Sequence, residues 1–294
     1  MEIKLGCLPC YVNQAMEATR YARMGEDDRW EVVQRVCKEL SNIDRSQPSA
    51  RVGQKVHKIV RDKAKTFDPY RDQKVKSNES ARKYLDEFRK KVLNSEDPLE
   101  RAARLATAGN AVDFGPKRDF DIEKELERGY REGFAINHWQ DFLSLLRKAK
   151  ELLYFVDNSG EIIYDTLFVE LLLERSELER LDLVVKDGPF LNDVTEGDLK
   201  DLKISELDGV DVKSVDNGDG GSSPTLWSSE VESWLNEYEL VVSKGQANYE
   251  GLSGYKKGNL FFFLTVKCDL VAVDTGAEEG SKVLINSAKA LNRA

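Results

Sequence analysis

The sequence predicts an α/β protein with a helical N-terminal part followed by a domain built on a mainly parallel sheet. From residue 151 onward, short apolar runs of strand length alternate with segments of helical periodicity, which is typical of a parallel sheet. Residues 8 to about 108 instead keep their apolar side chains at three- and four-residue spacing. We therefore predict two domains, a mainly helical one over residues 1–150 and an α/β domain over residues 151–294.

The composition is that of a soluble globular protein. Of the 294 residues, 33% are charged and 40% are hydrophobic, and no apolar run approaches the ~18 residues that a membrane helix needs. The N-terminal segment MEIKLGCLPC lacks the apolar core of a secretory signal. Four cysteines are too few for a disulfide framework and suit a reducing compartment. We expect a cytoplasmic protein with no membrane partner.

The helical part is predicted to break at 42–50 and at 67–72, where a proline interrupts each pattern. The segment 45–91 holds fifteen Lys and Arg against six Asp and Glu, a local net charge of +9. These charges are spread around helices without interleaved aromatic residues, so a solvated helical face is favoured over a nucleic-acid surface. We therefore expect no nucleic-acid partner.

A CxxC motif, Cys7-Leu8-Pro9-Cys10, stands at the start of the first predicted helix. A helix dipole lowers the pKa of a thiol in that position. A thioredoxin-like motif would follow a strand, and a structural zinc site would need a second Cys/His pair, and neither context is present in the sequence. Buried or locally structural cysteines are favoured, with a metal or redox role left open.

The following segment runs from the helical part to the first strand of the sheet. Residues 107–118 read as a polar loop with two glycine-bearing turns. Residues 119–150 read as one or two further helices, whose core stripe includes Trp139 and Phe142.

The stretch LLYFVDNSGEIIYDT, residues 152–166, is the centre of the predicted α/β domain. An apolar strand stops at Asp157 and Asn158, and apolar residues then recur at helical spacing. In open α/β sheets, ligands bind in the crevice at the carboxyl ends of the strands, so these two oxygen-bearing side chains are candidates for chemistry. The alternative is that one of them only caps the next helix.

Further strands are predicted at 181–186, 210–215, 240–243, 260–266 and 270–273. Each of these runs ends in polar or charged residues. Acids, amides and two lysines are thereby gathered along one predicted edge, which favours a functional site over helix caps alone.

These residues suit a hard metal ion and a phosphoryl group. With only two histidines, a zinc site built from histidine is nearly excluded, and oxygen ligands suit Mg²⁺ or Mn²⁺ and tolerate Co²⁺ or Ni²⁺. Asp157, Asn158 and Asp193 could supply oxygens to one divalent cation, while Lys244 and Lys267 could bind the phosphoryl group. Such an arrangement is suited to phosphoryl transfer to water.

Nucleotide-binding signatures are missing from the sequence. No G-x-G-x-x-G follows the first strand of the sheet, and no Walker A motif occurs. The central strand is also not followed by Asp-x-Asp, which weakens an aspartyl-phosphate mechanism, although Asp157 could serve as a nucleophile.

Six motifs along the whole chain, in the same order, resemble the damage-control phosphatase family, first catalogued as domain of unknown function 89. They are CLPC at 7–10, GNAVDFG at 109–115, DNSGEIIYD at 157–165, KDGPFLNDVT at 186–195, SKGQANYEGL at 243–252 and FLTVKC at 263–268. The N-terminal CxxC points to the archaeal-type branch. The resemblance implies a helical N-terminal part and a three-layer α/β/α Rossmann-like catalytic domain. It also implies a metal-dependent phosphatase that acts on small sugar phosphates or damaged phosphometabolites.

Carried over by position, the family's metal ligands fall on Asp157, Asn158 and Asp193. Its phosphate-binding lysine, in an Arg-Thr-x-Lys signature, falls on Lys267, although this chain has Leu264 where the signature has arginine. We predict these four ligand and lysine residues to be catalytic. Four residues of the same motifs are predicted to bind substrate, namely Lys244, Asn110, Glu161 and Asn248.

The resulting functional hypothesis is a hydrolase of phosphoric monoesters that uses Mn²⁺, Mg²⁺, Co²⁺ or Ni²⁺. Its partner would be a small phosphate ester, and a homodimer is possible. The alternative is a non-hydrolytic small-molecule-binding or methyl-transfer protein that uses the same crevice. Phosphate release from a generic aryl phosphate would distinguish the two.

Overall fold

The structure is a computed structural model that describes residues 1–109 and 122–291. Within these residues the α-helices are α1 Cys7–Tyr21, α2 Glu26–Ser41, α3 Ser49–Ala64, α4 Arg71–Leu93, α5 Pro98–Ala108, α6 Ile122–Arg131, α7 Trp139–Leu146, α8 Glu161–Arg175, α9 Glu196–Leu199, α10 Ser229–Glu237, α11 Gln246–Leu252 and α12 Asp269–Thr275. The strands are β1 Ile136–Asn137, β2 Glu151–Phe155, β3 Arg180–Lys186, β4 Val210–Val215, β5 Leu240–Lys244, β6 Leu260–Thr265 and β7 Lys282–Asn286. Both predicted breaks in the helical part separate observed helices.

The seven strands form one sheet in the order β1-β7-β6-β5-β2-β3-β4. Every neighbouring pair is parallel except β6 and β7, which are antiparallel. The prediction of a mixed α/β fold with a mainly parallel sheet is therefore confirmed. β2 lies between β5 and β3, so the residues that follow it face the turns after both neighbours.

Alternation along the strands sends apolar side chains to two faces of the sheet. On β2, Leu152 and Tyr154 belong to one hydrophobic cluster while Leu153 and Phe155 belong to another. The first cluster includes side chains of α5, α7 and α8, and the second includes side chains of α10, α11 and α12. Helices therefore cover both faces, and the sheet forms the middle of three layers.

A third hydrophobic cluster belongs to the first helices. It joins apolar side chains of α1, α2 and α3 with Tyr70, and Leu191 from the sheet's loops packs against it. Buried residues of α4, α5, α6 and α7 pack instead in the same cluster as one face of the sheet, and β1 pairs with β7. The division at residue 150 stays a prediction, and segments from both sides of it share a core.

The predicted strand at 270–273 is wrong. These residues lie in α12, which has Asp269 in its first turn and ends at Gly276 in the left-handed conformation, with φ +78°. An acid in the first turn and a left-handed glycine at the end are favourable for a helix. The sheet instead takes β7, which the sequence analysis did not predict, as an antiparallel partner of β6.

Two predictions about surfaces can be compared with the described residues. No helix among residues 1–109 and 122–291 is long and apolar enough to cross a membrane. The basic segment forms α3 and α4, and several of its lysines are in ion pairs. Lys63 contacts Asp28 and Glu31, for example, and Lys91 contacts Glu87 and Glu127. Such pairing is consistent with the predicted solvated helical face.

Candidate active site

The turn between β2 and α8 carries the first two predicted ligands. The N-cap residue of α8 is Gly160, with φ +87°. A glycine has no side chain that could bond to the first turn of the helix. The Gly160 N–H is bonded instead to the Asn78 side chain of α4 at 2.6 Å. The N-cap position of α8 is therefore occupied by Gly160 and not by Asp157 or Asn158.

The turn after β3 brings Asp193 to the turn after β2. The Val194 N–H donates to the Asp157 carbonyl at 2.9 Å, and the Ser159 N–H donates to the Asn192 carbonyl at 2.9 Å. Asn158 and Asp193 form an isolated antiparallel bridge between these two bonds. The backbones of the two turns are thus joined like a short piece of sheet, and the three predicted ligands are neighbours.

The three ligand side chains are nearly buried but border a cavity. Asp157, Asn158 and Asp193 are 4%, 7% and 4% exposed. All three line a cavity of about 410 Å³, which Lys267 also lines. The rest of its wall includes residues of α1 and α3, so the cavity lies between the sheet edge and the first helices. The structure therefore brings together the four residues predicted to be catalytic.

Two lysines, Lys267 and Lys186, lie at this edge of the sheet. Lys267 has its backbone N–H bonded to the Gln246 side-chain oxygen at 2.9 Å. Lys186, which the sequence analysis did not predict as a site residue, has its ammonium 3.9 Å from the Asp193 carboxylate. Lys186 is the last residue of β3. The reasoning that selected Asp157, Asn158 and Asp193, from their positions after strands, could therefore have identified it too.

Lys244 lies in the interior, which differs from its predicted contact with phosphate. Its side chain has no exposed area, and its ammonium donates to Glu161 and Asp165 at 2.6 Å each and to the Ala106 carbonyl at 3.2 Å. The Tyr154 hydroxyl donates to Asp165 at 2.7 Å. Within the described residues, Lys244 therefore belongs to a buried ionic cluster. The two acids compensate its charge, because an unpaired charge in the core would be costly.

The electrostatics of this cluster keep its lysine charged. Burial opposes the charged form of Lys244, but Asp165 and Glu161 raise its pKa to about 12. Burial raises the pKa of Glu161 to about 8, against the effect of Lys244, and raises the pKa of Asp165 as well. One cation is thus shared between two buried acids, close enough to the candidate ligands that the charge of Asp157 also raises the pKa of Glu161.

The other residues predicted to bind substrate are also placed differently or lie outside the described part. Glu161 is 1% exposed and bonds to Lys244. Asn248 is 3% exposed, and its amide donates to the carbonyls of Val156 and Lys244 at 2.8 and 2.9 Å. These bonds fix the first turn of α11 against the end of β2. Asn110 lies outside the described residues.

The donor set fits a cation that prefers oxygen ligands. Among the residues that the structure describes, no group of three or more His, Cys, Asp or Glu side chains is gathered to hold a metal. A site here would therefore depend on two carboxylates and one amide oxygen, with water in its remaining positions, as Mg²⁺ and Mn²⁺ accept. The Gly245 backbone packs so closely on Asp157 that an added Cβ would lie 1.8 Å from its carboxylate oxygen.

The CxxC motif also borders the cavity. Cys7 and Cys10 line it together with Cys268, and all the cysteines are free thiols in this structure. Burial raises the pKa of the half-buried Cys7, which is opposite to the helix-dipole effect expected from the sequence. This thiol is therefore protonated near neutral pH, which does not favour a reactive redox pair.

Several polar residues on the cavity wall were not predicted. The Gln246 amide donates to Glu250 at 3.0 Å, four residues further along α11, and burial raises the pKa of Glu250. The Tyr11 hydroxyl is 2.8 Å from the Ser49 hydroxyl, which joins α1 to α3 at the same cavity. Helical spacing within the KGQANYE motif could have paired Gln246 with Glu250, whereas nothing local in the sequence pairs Tyr11 with Ser49.

The fold and the site together define a class of protein. This chain is an α/β protein with a cluster of carboxylate and amide oxygens at the carboxyl edge of a mostly parallel sheet, facing a cavity. Residues 3–283 match the family model described as the damage-control phosphatase ARMT1-like domain. The chain belongs to that family, as the sequence motifs indicated.

Relatives of this chain extend over nearly its whole length. An uncharacterized protein of Methanocaldococcus jannaschii is 31% identical over 97% of this chain and 95% of its own. A protein of Archaeoglobus fulgidus named damage-control phosphatase is 30% identical, over 96% of this chain and 98% of its own. The crystal structure of a Pyrococcus horikoshii protein of the same family of domain of unknown function 89 aligns with a TM-score of 0.85. That alignment has 27% identity and covers 98% of this chain and 99% of the other.

Proposed function

We propose that this protein is a metal-dependent phosphatase that hydrolyses small phosphate esters. The observation that carries the proposal is the convergence of Asp157, Asn158, Asp193 and Lys267 on one cavity. Two of the relatives, from Archaeoglobus fulgidus and Pyrococcus horikoshii, are named damage-control phosphatases, which supports a phosphatase activity. Sugar phosphates or damaged phosphometabolites are the substrates that we propose.

In this proposal Asp157, Asn158 and Asp193 hold the cation through their side-chain oxygens. A bound divalent cation supplies Lewis-acid activation of the phosphoryl group and of a water molecule. Lys267 contributes positive charge to the phosphoryl oxygens as negative charge develops on them. The cavity of about 410 Å³ is within the size range of small-molecule sites. The wall formed by α1 and α3 would hold the part of the substrate beyond the phosphate.

The test uses purified protein with an aryl phosphate and Mn²⁺, Mg²⁺, Co²⁺ or Ni²⁺. We expect phosphate release that requires the metal and that is lost in Asp157→Asn and in Asp193→Asn, since each change removes a charged ligand but little volume. Asp208→Asn, at an exposed loop aspartate, is the matched control and should keep wild-type turnover.

Binding is measured separately from turnover. Mn²⁺ at 100 times its dissociation constant should stabilise the wild-type protein by about 2.7 kcal/mol. That stabilisation should be reduced in Asp193→Asn. Unchanged metal affinity and turnover in both ligand variants would refute the site, and tight metabolite binding without phosphate release would favour the non-hydrolytic alternative.

A further inference from the structure

One face of α3 contacts the turn that leads to Asp193. Gly53, His57 and Arg61 are spaced four residues apart, so these positions lie along one face of the helix. All three contact Pro189 or Phe190 in the turn between β3 and α9. The first helices and the predicted metal ligand are thus connected through a specific set of contacts.

Gly53 and His57 both contact the Phe190 ring. A Cβ added to Gly53 would lie 3.4 Å from the ring, which is van der Waals distance, so the ring faces the helix at this position. The His57 ring meets it edge to face, with 5.3 Å between centroids and an interplanar angle of 81°. Phe190 is 6% exposed as a result. Burial of this ring fixes the turn against α3.

The third contact is polar and involves a second loop. Arg61, which is 9% exposed, donates from one guanidinium nitrogen to the Pro189 carbonyl at 2.9 Å and from another to the Asp219 carboxylate. The Asn217 amide donates to the same Pro189 carbonyl at 3.2 Å. A guanidinium has a rigid set of donors, so Asp219 orients the group that holds the turn.

The turn itself needs such support. Leu191 has φ +49°, a conformation that a residue with a branched side chain rarely adopts, and such strain persists only where the surroundings fix it. The Asp193 N–H closes the turn on the Phe190 carbonyl at 3.0 Å. A shift of Pro189 or Phe190 would therefore also move Asp193, which belongs to the same turn.

We propose that Gly53, His57 and Arg61 are positioning residues that hold the Pro189–Leu191 turn and thereby set the placement of Asp193 for metal binding. The metal part of this inference rests on the proposed function, whereas the placement of the turn does not. Direct hydrogen-bond partners of metal ligands typically change metal affinity 10- to 100-fold when they are removed. Arg61 acts through the backbone of the turn instead, so we expect an effect at the lower end of that range. The face of α3 would thus contribute to the site without touching the substrate.

The test compares Arg61→Met with Lys58→Met. Lys58 is the matched control, since it lies on the same helix and its ammonium is 3.7 Å from the same Asp219, but it is half exposed and pairs with carboxylates. We expect Arg61→Met to weaken Mn²⁺ binding by about 10-fold in calorimetry. Its Ser159 and Val194 amides should also exchange faster with deuterium, because their acceptors lie in the two joined turns.

Two further variants make the test independent of the stability of Arg61→Met. Arg61→Lys keeps the charge but loses the fork of donors and should restore part of the affinity. Asp219→Asn removes the group that orients the guanidinium and should weaken Mn²⁺ binding several-fold, even if Arg61→Met does not fold. Wild-type affinity and exchange in Arg61→Met or Asp219→Asn, or equal losses in Lys58→Met, would overturn the proposal.

Failure of the proposed function gives a different result. If the wild-type protein binds no divalent cation and releases no phosphate, the metal site is refuted. Amide exchange then still decides the placement of the turn. Faster exchange in Arg61→Met than in Lys58→Met supports the role of α3, and equal exchange refutes it.

Discussion

Lys267 enters the candidate site from the turn after β6, with an exposed side chain and a fixed backbone. A lysine in this place can hold the phosphate in the ground state or meet charge that develops during transfer. The first role raises KM when the lysine is removed, and the second lowers kcat. Because the backbone is anchored by Gln246, substitution of the side chain should leave the turn in place.

We expect Lys267→Ala to lower kcat by about 10²-fold or more with a smaller change in KM, since a preorganised charge of this kind is worth ~3 kcal/mol. Steady-state kinetics at saturating Mn²⁺, with circular dichroism to check the fold, measure this. Lys200→Ala, at an exposed lysine on the surface, is the control. Wild-type kcat and KM together in Lys267→Ala would remove this lysine from the site.

His57 makes a second prediction at the residue scale, on the dependence of stability on pH. Burial, followed by the charge of Arg61, lowers the pKa of His57 to about 3 in the folded protein, while the ordinary value is 6.5. Between these two pH values the unfolded chain binds a proton that the folded chain does not, so stability falls as pH falls from 6.5 towards 3. At pH 5 this group costs about 2 kcal/mol of the stability present at pH 7.

Urea unfolding at pH 7 and pH 5 measures this effect. In His57→Gln the loss of stability on acidification should be smaller than in the wild type by about 2 kcal/mol. His138→Gln is the matched control: the pKa of His138 is also lowered by burial, but this residue is less buried, so its effect should be weaker. Equal acid-induced losses in the wild type and His57→Gln would contradict the assignment.

Among the elements, α11 connects the ends of three neighbouring strands. It follows β5 directly, its Asn248 bonds to the end of β2, and its Gln246 bonds to the turn after β6. Gly245 at its start has φ +79° and is in contact with Asp157. The spacing between Asp157 and Lys267 therefore depends on one helical turn.

We expect Gly245→Ala to lower the free energy of unfolding by more than about 1 kcal/mol, because the added Cβ meets Asp157 and the φ angle disfavours side chains. Mn²⁺ affinity should fall as well, since Asp157 must move. Gly254→Ala is the control, as a Cβ there would meet nothing within 4 Å. Denaturant unfolding and calorimetry measure the two effects, and a Gly245→Ala protein with wild-type affinity would contradict the close contact.

The whole molecule places the cysteine motif at the junction between the first helices and the sheet. Cys7 is half-buried and Cys10 is exposed at the start of α1, and both border the cavity beside Cys268 from the turn after β6. The half-buried Cys7 thiol can act there as a small packing group, whereas Cys10 is exposed. We propose no role for either thiol in the chemistry of the phosphatase.

We therefore expect the double variant Cys7→Ser with Cys10→Ser to lower the melting temperature slightly and to keep metal-dependent turnover. The exposed Cys37 on α2 provides a control variant, Cys37→Ser, with no expected effect on either. Thermal unfolding and the aryl phosphate assay measure the outcome. Loss of turnover in a well-folded double variant would show that the thiols take part in the reaction.

The sequence by itself determined most of the secondary structure and the candidate ligands of this protein. Strand-length apolar runs and helical periodicity predicted five of the seven strands that the structure describes, and the breaks between the first helices, because both patterns depend on side chains close together in the chain. Asp157, Asn158 and Asp193 could be predicted as candidate ligands because each lies in the turn after a strand, and neighbouring parallel strands end at the same edge of the sheet. Five strands in a row made that edge predictable.

Only the tertiary structure decided which lysine meets the cavity. Lys244 and Lys267 both follow apolar runs, but Lys244 shares the face of Val242, which α8 covers, and pairs there with Glu161 and Asp165. Alternation shows the face of the sheet, but whether a helix buries that face depends on packing. The position of β7 likewise depends on tertiary packing, because this strand joins the sheet through its antiparallel pairing with β6.

The contact between α3 and the Asp193 turn also lies beyond what one sequence determines. Arg61 and Pro189 are 128 positions apart, and no periodicity or local motif relates them. Their meeting depends on how the first helices pack on the loops of the sheet, which is set by hydrophobic burial over the whole molecule. The sequence by itself thus determined the three candidate ligands and Lys267, and the tertiary structure decided which other groups lie beside them.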